Sequence, residues 1–192
     1  MTQNNLIYKA FSSHSELIEV VKGDLSNEIE KIGLMLAKTL HSGRTIFWCG
    51  NGGSAADSQH LAAELVGRFK NDRQPLSSLA LTTDTSVLTC ISNDYSYESI
   101  FSRQVEALAR PGDVLIGIST SGNSENIKQA FKSAKKNEVK TVSLLGKDGG
   151  DCKSLADYSL LIPSNDTARI QEIHILIGHI FCEIIEMEMG FV

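Results

Sequence analysis

The chain has 192 residues, 42% of them hydrophobic and 21% charged, a composition typical of a globular protein rather than a disordered one. Its formal net charge of −5 argues against a general nucleic-acid-binding protein, which needs a basic face to displace counterions from phosphates. The four cysteines form no C-x-x-C pair, so we expect no disulfide framework and a reduced, cytoplasmic location. The N-terminus lacks a secretory pattern and no stretch reaches the roughly 18–20 apolar residues of a membrane span, so we expect no membrane partner.

The first 41 residues are helical in character. Apolar residues recur there at helical spacing, at Leu17, Ile18, Val21, Leu25, Ile29, Ile32, Leu36 and Leu40. The Gly23-Asp24 pair is a candidate break point between two helices. Because one helix layer over a sheet would not use all of this apolar surface, we expect residues 1–41 to serve in oligomerisation, in a bundle between subunits.

From residue 45 onward, short apolar runs alternate with helical segments. The runs predict strands at 45–50, 77–83, 113–120, 139–146 and 158–163. The segments between them predict helices to about residue 70, near 85–91, at 98–109, at 124–136 and from about Thr167 to Met189. This alternation is typical of an α/β fold, and we predict a single domain over 1–192 with a parallel five-stranded sheet flanked by helices.

Ligands of such sheets bind at the carboxyl ends of the strands, so the loops there are the candidate sites. The first is "GNGGS" (50–54), whose glycines let the backbone turn and let its N–H groups approach an anion. A plain strand-to-helix turn explains the same residues about as well. In the helix that follows, His60 and Glu64 are four residues apart and share one face, either as a polar surface stripe or as a site for acid–base chemistry or a metal.

The third strand is followed by "STSGNS" (119–124), the most specific of the loops. Four hydroxyl side chains surround one glycine at the start of a helix, at Ser119, Thr120, Ser121 and Ser124. Together with the free N–H groups and positive dipole end of the helix, they predict a phosphate cradle that needs no lysine. Ordinary capping by a single serine is the simpler alternative.

The last helix contains Gln171, His174 and His179 among isoleucines and leucines. A histidine on an apolar helix face usually belongs to the core. Helical periodicity does not decide which of His174 and His179 faces a site and which packs inside.

Several motifs together resemble the sugar isomerase (SIS) domain family, and more narrowly the bacterial phosphoheptose isomerases. They are "CGNGGSAADSQHLAAEL", "LTTDTS", "SNDY", "FSRQVEAL", "GDVLIGISTSGNSENI", "GKDGG" and "ARIQEIHILIGH". The resemblance runs in order from about residue 40 to the end. It implies isomerisation of D-sedoheptulose 7-phosphate to D-glycero-D-manno-heptose 7-phosphate, the first step toward the heptose of lipopolysaccharide core or related glycans, by a homotetramer with sites at subunit interfaces.

The resemblance also assigns roles to residues. It implies one Zn²⁺ per subunit, with ligands at His60, Glu64, Gln171 and His179, so that His174 is left to packing. It implies substrate contacts at Asn51, Gly52, Gly53, Glu64, Asn93, Asp94, Ser119, Thr120, Ser121, Ser124 and Gln171. Some relatives have an aspartate where this chain has Ala168, which leaves the roles of the neighbouring Asp166 and Thr167 open.

The implied chemistry moves a proton between C1 and C2 of the sugar through an enediol, which requires a base and an acid. Glu64 and His179 suit these catalytic roles. If Glu64 is also a metal ligand, its roles as ligand and base compete, and the sequence leaves this open. Two alternatives remain. One is a non-catalytic SIS protein that binds the replication initiator; that group of SIS proteins lacks the equivalents of Glu64 and His179. The other is an isomerase or sensor of another phosphosugar.

Overall fold

The computed structural model describes residues 3–191; residues 1, 2 and 192, which belong to the predicted bounds 1–192 and 1–41, lie outside the described residues. The helices are α1 (Gln3–His41), α2 (Gly53–Val66), α3 (Thr85–Asp94), α4 (Ser102–Leu108), α5 (Glu125–Lys136), α6 (Cys152–Leu155) and α7 (Thr167–Glu188). The strands are β1 (Ile46–Gly50), β2 (Ser78–Ala80), β3 (Val114–Ser119), β4 (Lys140–Gly146) and β5 (Tyr158–Ile162).

The five strands form one sheet in the order β2-β1-β3-β4-β5, and every neighbouring pair is parallel. The predicted α/β fold with a parallel five-stranded sheet flanked by helices is confirmed. The strand order reverses between β1 and β3, which is where such sheets open a crevice at their carboxyl edge. The loops after these two strands are "GNGGS" and "STSGNS", so the topology brings the two most informative loops together.

Helices cover both faces of the sheet, and alternate strand residues point into two separate cores. Ile46 and Trp48 of β1 pack on the side of α1, α2 and α7. Phe47 and Cys49 of the same strand pack on the side of α4 and α5. Because both faces are buried, all five residues of β1 are buried and the strand appears in the sequence as a continuous apolar run.

The proposed break at Gly23-Asp24 is wrong, because α1 runs unbroken through both residues. Gly23 is exposed, and an added Cβ would meet nothing within 4 Å. A glycine inside a helix costs only about 1 kcal/mol relative to alanine. The buried residues on either side, Val21 and Ile29, keep the helix packed and outweigh that cost.

Several other elements differ from the prediction. Helix α2 ends at Val66 instead of about residue 70, and α3 extends to Asp94 instead of residue 91. Strand β2 ends at Ala80 instead of residue 83, because the chain turns into Asp84, whose carboxylate caps α3 by accepting from the N–H of Val87. The helix predicted at 98–109 is divided into a 3-10 turn (Tyr97–Ser99) and α4. The short helix α6 was not predicted. Among residues 3–191, no helix is both long enough and apolar enough to cross a bilayer.

Candidate active site

The "GNGGS" turn needs its glycines for two different reasons. A Cβ on Gly50 would lie 2.5 Å from the carbonyl oxygen of Ser54, so the turn can close only around a glycine. Gly52 has a φ of 56°, in the left-handed region that favours glycine. These two positions let α2 begin at Gly53, immediately after β1.

Asn51 joins the two sides of the crevice. Its side-chain amide and that of Asn126 on α5 exchange two hydrogen bonds, of 3.0 and 2.8 Å. The hydroxyl of Tyr97 also donates to Asn51 Oδ1, at 2.8 Å. Asn51 was expected from the resemblance as a sugar contact, whereas Tyr97 was missed, since nothing in the sequence marks a tyrosine 46 residues away as its partner.

A cavity of about 240 Å³ opens beside this turn. Two of the expected substrate-contacting residues, Asn51 and Gly52, line it together with the polar side chains of Thr82, Thr89, Ser92 and Tyr97. Asn93 and Asp94 follow on α3; Asn93 Nδ2 donates to Asp94 Oδ1 at 2.8 Å, and both residues are exposed. Asn93 and Asp94 are not among the residues that line the cavity, and its wall also contains the apolar side chains of Leu88, Ile100 and Phe101.

His60, Glu64 and His179 converge on one point. The Nε2 atom of His60 lies 3.0 Å from Nε2 of His179 and 3.1 Å from Oε1 of Glu64. One possible ligand atom from each of the three residues falls within 4.8 Å of the others. Ligand atoms about 2.05 Å from a tetrahedral zinc ion are separated by about 3.3 Å, so this donor set of two imidazoles and a carboxylate fits Zn²⁺.

Two further residues near this cluster were missed by the sequence analysis. The ring of Phe69 stacks on the ring of His179, with centroids 5.4 Å apart and an angle of 26°. Asp57, one turn before His60, has a buried carboxylate oxygen without a hydrogen-bond partner among the described residues. Burial raises the pKa of Asp57, and the nearby His60 partly offsets this.

The structure separates the two histidines of α7. His174 is completely buried, and its Nε2 lies 3.1 Å from the carbonyl oxygen of Leu145 on β4. Burial lowers the pKa of His174 to about 4, although the hydrogen bond to Leu145 opposes the shift. His174 therefore stays neutral in the core, whereas His179 lies against His60.

Gln171 contacts the first residue of α2. Its side-chain amide packs on Gly53, where an added Cβ would be 2.5 Å from Gln171 Nε2. Gly53 precedes His60 by seven residues, which is about 10 Å along α2. Of the four expected ligands, His60, Glu64 and His179 have donor atoms that converge within one chain. Asp166, whose role was open, caps α7 by accepting from the N–H of Ala168 at 2.9 Å.

The "STSGNS" loop holds its hydroxyl groups in a compact turn. Ser119 Oγ lies 3.0 Å from Ser124 Oγ and accepts a hydrogen bond from the N–H of Gly122. Ser121 Oγ accepts from the N–H of Asn123 at 3.2 Å. The side chain of Ser124, which precedes α5, makes no capping hydrogen bond to the helix, so the simpler explanation by serine capping is not what the structure contains.

Gly122 holds this loop against the "GKDGG" turn. Its φ is 67°, and an added Cβ would lie only 1.9 Å from the carbonyl oxygen of Gly149. The carbonyl of Gly122 accepts from the N–H of Cys152 at 2.9 Å, at the start of α6. The second loop therefore supports the shape of the first.

Comparison with known proteins agrees with this architecture. The family model described as SIS domain matches residues 10–146. The phosphoheptose isomerase of Aliarcobacter butzleri is 54% identical over 96% of this chain and 97% of its own length, and that of Helicobacter pylori is 53% identical over 95% of both. The structure of phosphoheptose isomerase from Neisseria gonorrhoeae superimposes with a TM-score of 0.92 at 41% identity, over 97% of this chain and all of that chain. A phosphoheptose isomerase from Francisella tularensis gives a TM-score of 0.94 at 35% identity, with the same coverage.

The family model and the similar structures identify this parallel sheet with its flanking helices as a SIS domain. The chain belongs to the SIS domain family and, within it, to the phosphoheptose isomerases.

Proposed function

We propose that this protein isomerises D-sedoheptulose 7-phosphate to D-glycero-D-manno-heptose 7-phosphate. The observation that supports this most directly is that His60 and Glu64, on the helix that follows the glycine turn, converge with His179 of α7 in a chain of this family. The product would supply a heptose for lipopolysaccharide core or related glycans. All four cysteines are free thiols, which supports a reducing, cytoplasmic compartment.

The reaction requires one group that removes a proton from carbon and one that serves the carbonyl oxygen. We assign these catalytic roles to Glu64 and His179. Glu64 is partly shielded, with a side chain that is 25% exposed, and it lies on the helix that the glycine turn begins. The turn itself, with Asn51, Gly52 and Gly53, would bind the hydroxyl groups of the open-chain sugar, with Asn93 and Asp94 nearby on α3.

His60, Glu64 and His179 would hold one Zn²⁺ per subunit, because their donor atoms have the spacing that zinc requires. A bound zinc ion supplies Lewis-acid polarisation of oxygen groups on the substrate. His60 has no proton-transfer role in this assignment. Its Nε2 atom contacts both Glu64 and His179, so it helps to hold the donor atoms of these two residues close together.

The phosphate group would bind in the "STSGNS" loop. Ser119, Thr120, Ser121 and Ser124 offer hydroxyl donors, and the first turn of α5 adds backbone N–H groups and a positive dipole end. Binding energy from the phosphate would position C1 and C2 at the distant cluster without taking part in the proton transfer.

The assembly would be a homotetramer of chains that each form one domain over residues 1–192. The first turns of α1 expose large apolar side chains, namely Leu6, Ile7, Tyr8 and Phe11, each more than half exposed. Covering such a surface with α1 helices of other subunits would form the expected bundle from residues 1–41. Gln171 would be the fourth metal ligand, either from the first turn of α7 in the same chain or from a neighbouring subunit.

A turnover assay with sedoheptulose 7-phosphate tests the proposal. Proton exchange at C1 and C2 in deuterated water, followed by NMR, reports the enediol independently of product release. Failure of both, with retained binding of the sugar phosphate, would favour a phosphosugar sensor. Binding to the replication initiator in place of turnover would favour the non-catalytic alternative, which the presence of both Glu64 and His179 argues against.

A further inference from the structure

A fully buried ion pair lies behind the His60–Glu64–His179 cluster. Arg73, in the segment between α2 and β2, donates from Nε to Oε1 of Glu186 on α7 at 3.0 Å. The two side chains are 0% and 1% exposed. Removing two charges from water is costly, and an apolar pair of similar size often gives equal or better stability. The pair therefore calls for a reason beyond the stability of the fold.

Glu186 organises the turn that follows α2. Its carboxylate accepts hydrogen bonds from the backbone N–H groups of Phe69, Lys70 and Asn71, each at 3.3 Å. Burial alone would raise the pKa of Glu186, but the hydrogen bonds from Arg73 and from these three N–H groups lower it below its ordinary value. The carboxylate thus stays ionised, and the backbone at 69–71 is wrapped around it.

Arg73 contacts the C-terminal end of α2. Its Nη2 donates to the carbonyl oxygen of Glu64 at 2.8 Å, and its Nη1 donates to that of Leu65 at 2.8 Å. These carbonyls are in the last turn of α2, where helix carbonyls have no partner within the helix. The guanidinium therefore fixes the backbone of Glu64 itself.

The Arg73–Glu186 ion pair is connected to His179 through the aromatic ring of Phe69. Glu186 anchors the N–H of Phe69, and the Phe69 ring stacks on the imidazole of His179. On its other side His179 meets His60, with ring centroids 5.1 Å apart. The same ion pair is thus connected to Glu64 by a hydrogen bond and to His179 by a stacked ring.

We propose that Arg73 and Glu186 are positioning residues for the His60–Glu64–His179 cluster, holding α2 and α7 at the spacing at which the three donor groups converge. This inference rests on the proposed function of that cluster. It predicts that disruption of the pair weakens the cluster even in variants that keep the fold and the phosphate loop, which lies after a different strand.

The test compares Glu186→Gln and the double variant Arg73→Met/Glu186→Met with Glu183→Gln. Glu183 is the matched control: it lies three residues before Glu186 on α7 and pairs with Lys70 of the same turn, but both partners are exposed. Zinc affinity is measured by competition with a chromophoric chelator, and kcat and KM are measured for sedoheptulose 7-phosphate. Circular dichroism and sedimentation establish that each variant is folded and assembled.

We expect both pair variants to bind zinc roughly 10–100-fold more weakly, the usual effect of losing an outer-shell partner of a metal site. We expect kcat of both pair variants to fall while KM stays within about twofold of the wild-type value. Glu183→Gln should match the wild type. A folded double variant with wild-type zinc affinity and kcat would overturn the proposal. If the double variant does not fold, Glu186→Gln decides instead, because it removes the buried negative charge and leaves Arg73 in place; unchanged zinc affinity in that variant overturns the proposal as well.

Failure of the proposed function gives a different result. A wild-type protein that neither binds zinc nor turns over the sugar phosphate refutes the proposed function without testing the ion pair. In that case the NMR resonance of the His179 imidazole in the metal-free protein decides. It should move further in Glu186→Gln than in Glu183→Gln, whose exposed carboxylate lies only four residues from His179 on the same helix. A resonance that moves no further in Glu186→Gln than in Glu183→Gln overturns the positioning role.

Discussion

The Nε2 atom of His60 lies 3.0 Å from the Nε2 atom of His179, although 119 positions separate the two residues in the chain. At that distance the two nitrogens can share one proton, or both can direct lone pairs at one cation. Glu64 Oε1, 3.1 Å from the same nitrogen of His60, adds a negative charge that favours either arrangement. The first two predictions below follow from this contact.

Glu64→Gln should keep the shape of the side chain and remove the base. We expect binding of the sugar phosphate to survive and kcat to fall by roughly two to four orders of magnitude, the usual contribution of a positioned acid or base. Proton exchange at C1 and C2 in deuterated water measures the step directly. Glu188→Gln, an exposed residue on α7, is the control. Exchange at the wild-type rate in Glu64→Gln would refute the role of this residue.

Removal of metal should abolish turnover if the cluster holds zinc. Exhaustive chelation followed by dialysis is expected to lower activity about 100-fold, and added Zn²⁺ should restore it. The reason is that the ion and the residues around it both control the activity of such sites strongly. His179→Asn should bind zinc more weakly and regain little activity with added metal. Full activity after chelation, with elemental analysis showing almost no zinc left on the protein, would contradict the assignment.

Ser119→Ala and Ser124→Ala should weaken phosphate binding. Each removes one of the two hydroxyl groups that contact each other in the loop after β3. Loss of a hydrogen bond to a charged group costs about 1.5–3 kcal/mol, so KM should rise roughly 10–100-fold with a smaller change in kcat. Ser154→Ala, outside the loop, is the control. A KM that does not change in either loop variant would place the phosphate elsewhere.

His174 should make the stability of the protein depend on pH below neutrality. Its pKa is lowered to about 4 in the folded state, against an ordinary value of 6.5. Because the pKa of His174 is lower in the folded state than in the unfolded state, its contribution to the free energy of unfolding is complete above pH 6.5. This contribution is lost as the pH falls toward 4, because the unfolded chain takes up the proton first. The full difference is about 3 kcal/mol in the free energy of unfolding.

Denaturant unfolding at several pH values measures this dependence, with His174→Gln as the comparison. The glutamine side chain would retain a donor near the carbonyl of Leu145 but does not titrate. The curve between pH 6.5 and about 4 should therefore become flatter, while kcat changes little. A curve of unchanged slope would show that other groups cause the acid sensitivity.

The exposed apolar face at the start of α1 should be essential for assembly. Tyr8 and Phe11 are 72% and 71% exposed. Charged replacements, Tyr8→Glu and Phe11→Glu, should shift sedimentation from tetramer to smaller species and lower activity, because the site is expected to use more than one subunit. Glu16→Gln on the same helix is the control. A stable, active monomer of the wild type at micromolar concentration would rule out the assembly.

Much of the fold followed from local patterns. The inner strands β1 and β3 are buried on both faces, so they appear in the sequence as continuous apolar runs. The glycine turn and the hydroxyl-rich loop were recognisable because their residue types are demanded by backbone geometry, as the positive φ of Gly52 and Gly122 illustrates. The pairing of His60 with Glu64 also followed from helical spacing alone.

Tertiary structure decided what periodicity cannot express. Which of His174 and His179 is buried depends on how α7 is rotated against β4 and α2, and that rotation is set by packing, including the contact of Gly178 with Leu61. The stacking of Phe69 on His179 and the Arg73–Glu186 pair join segments more than 100 residues apart, with no local signal at either end. A residue's type limits the chemistry that it can perform. The packing of α2 against α7 determines which side chains lie close together. Many contacts from distant parts of the chain set the distance between these two helices, and no short stretch of sequence contains them all.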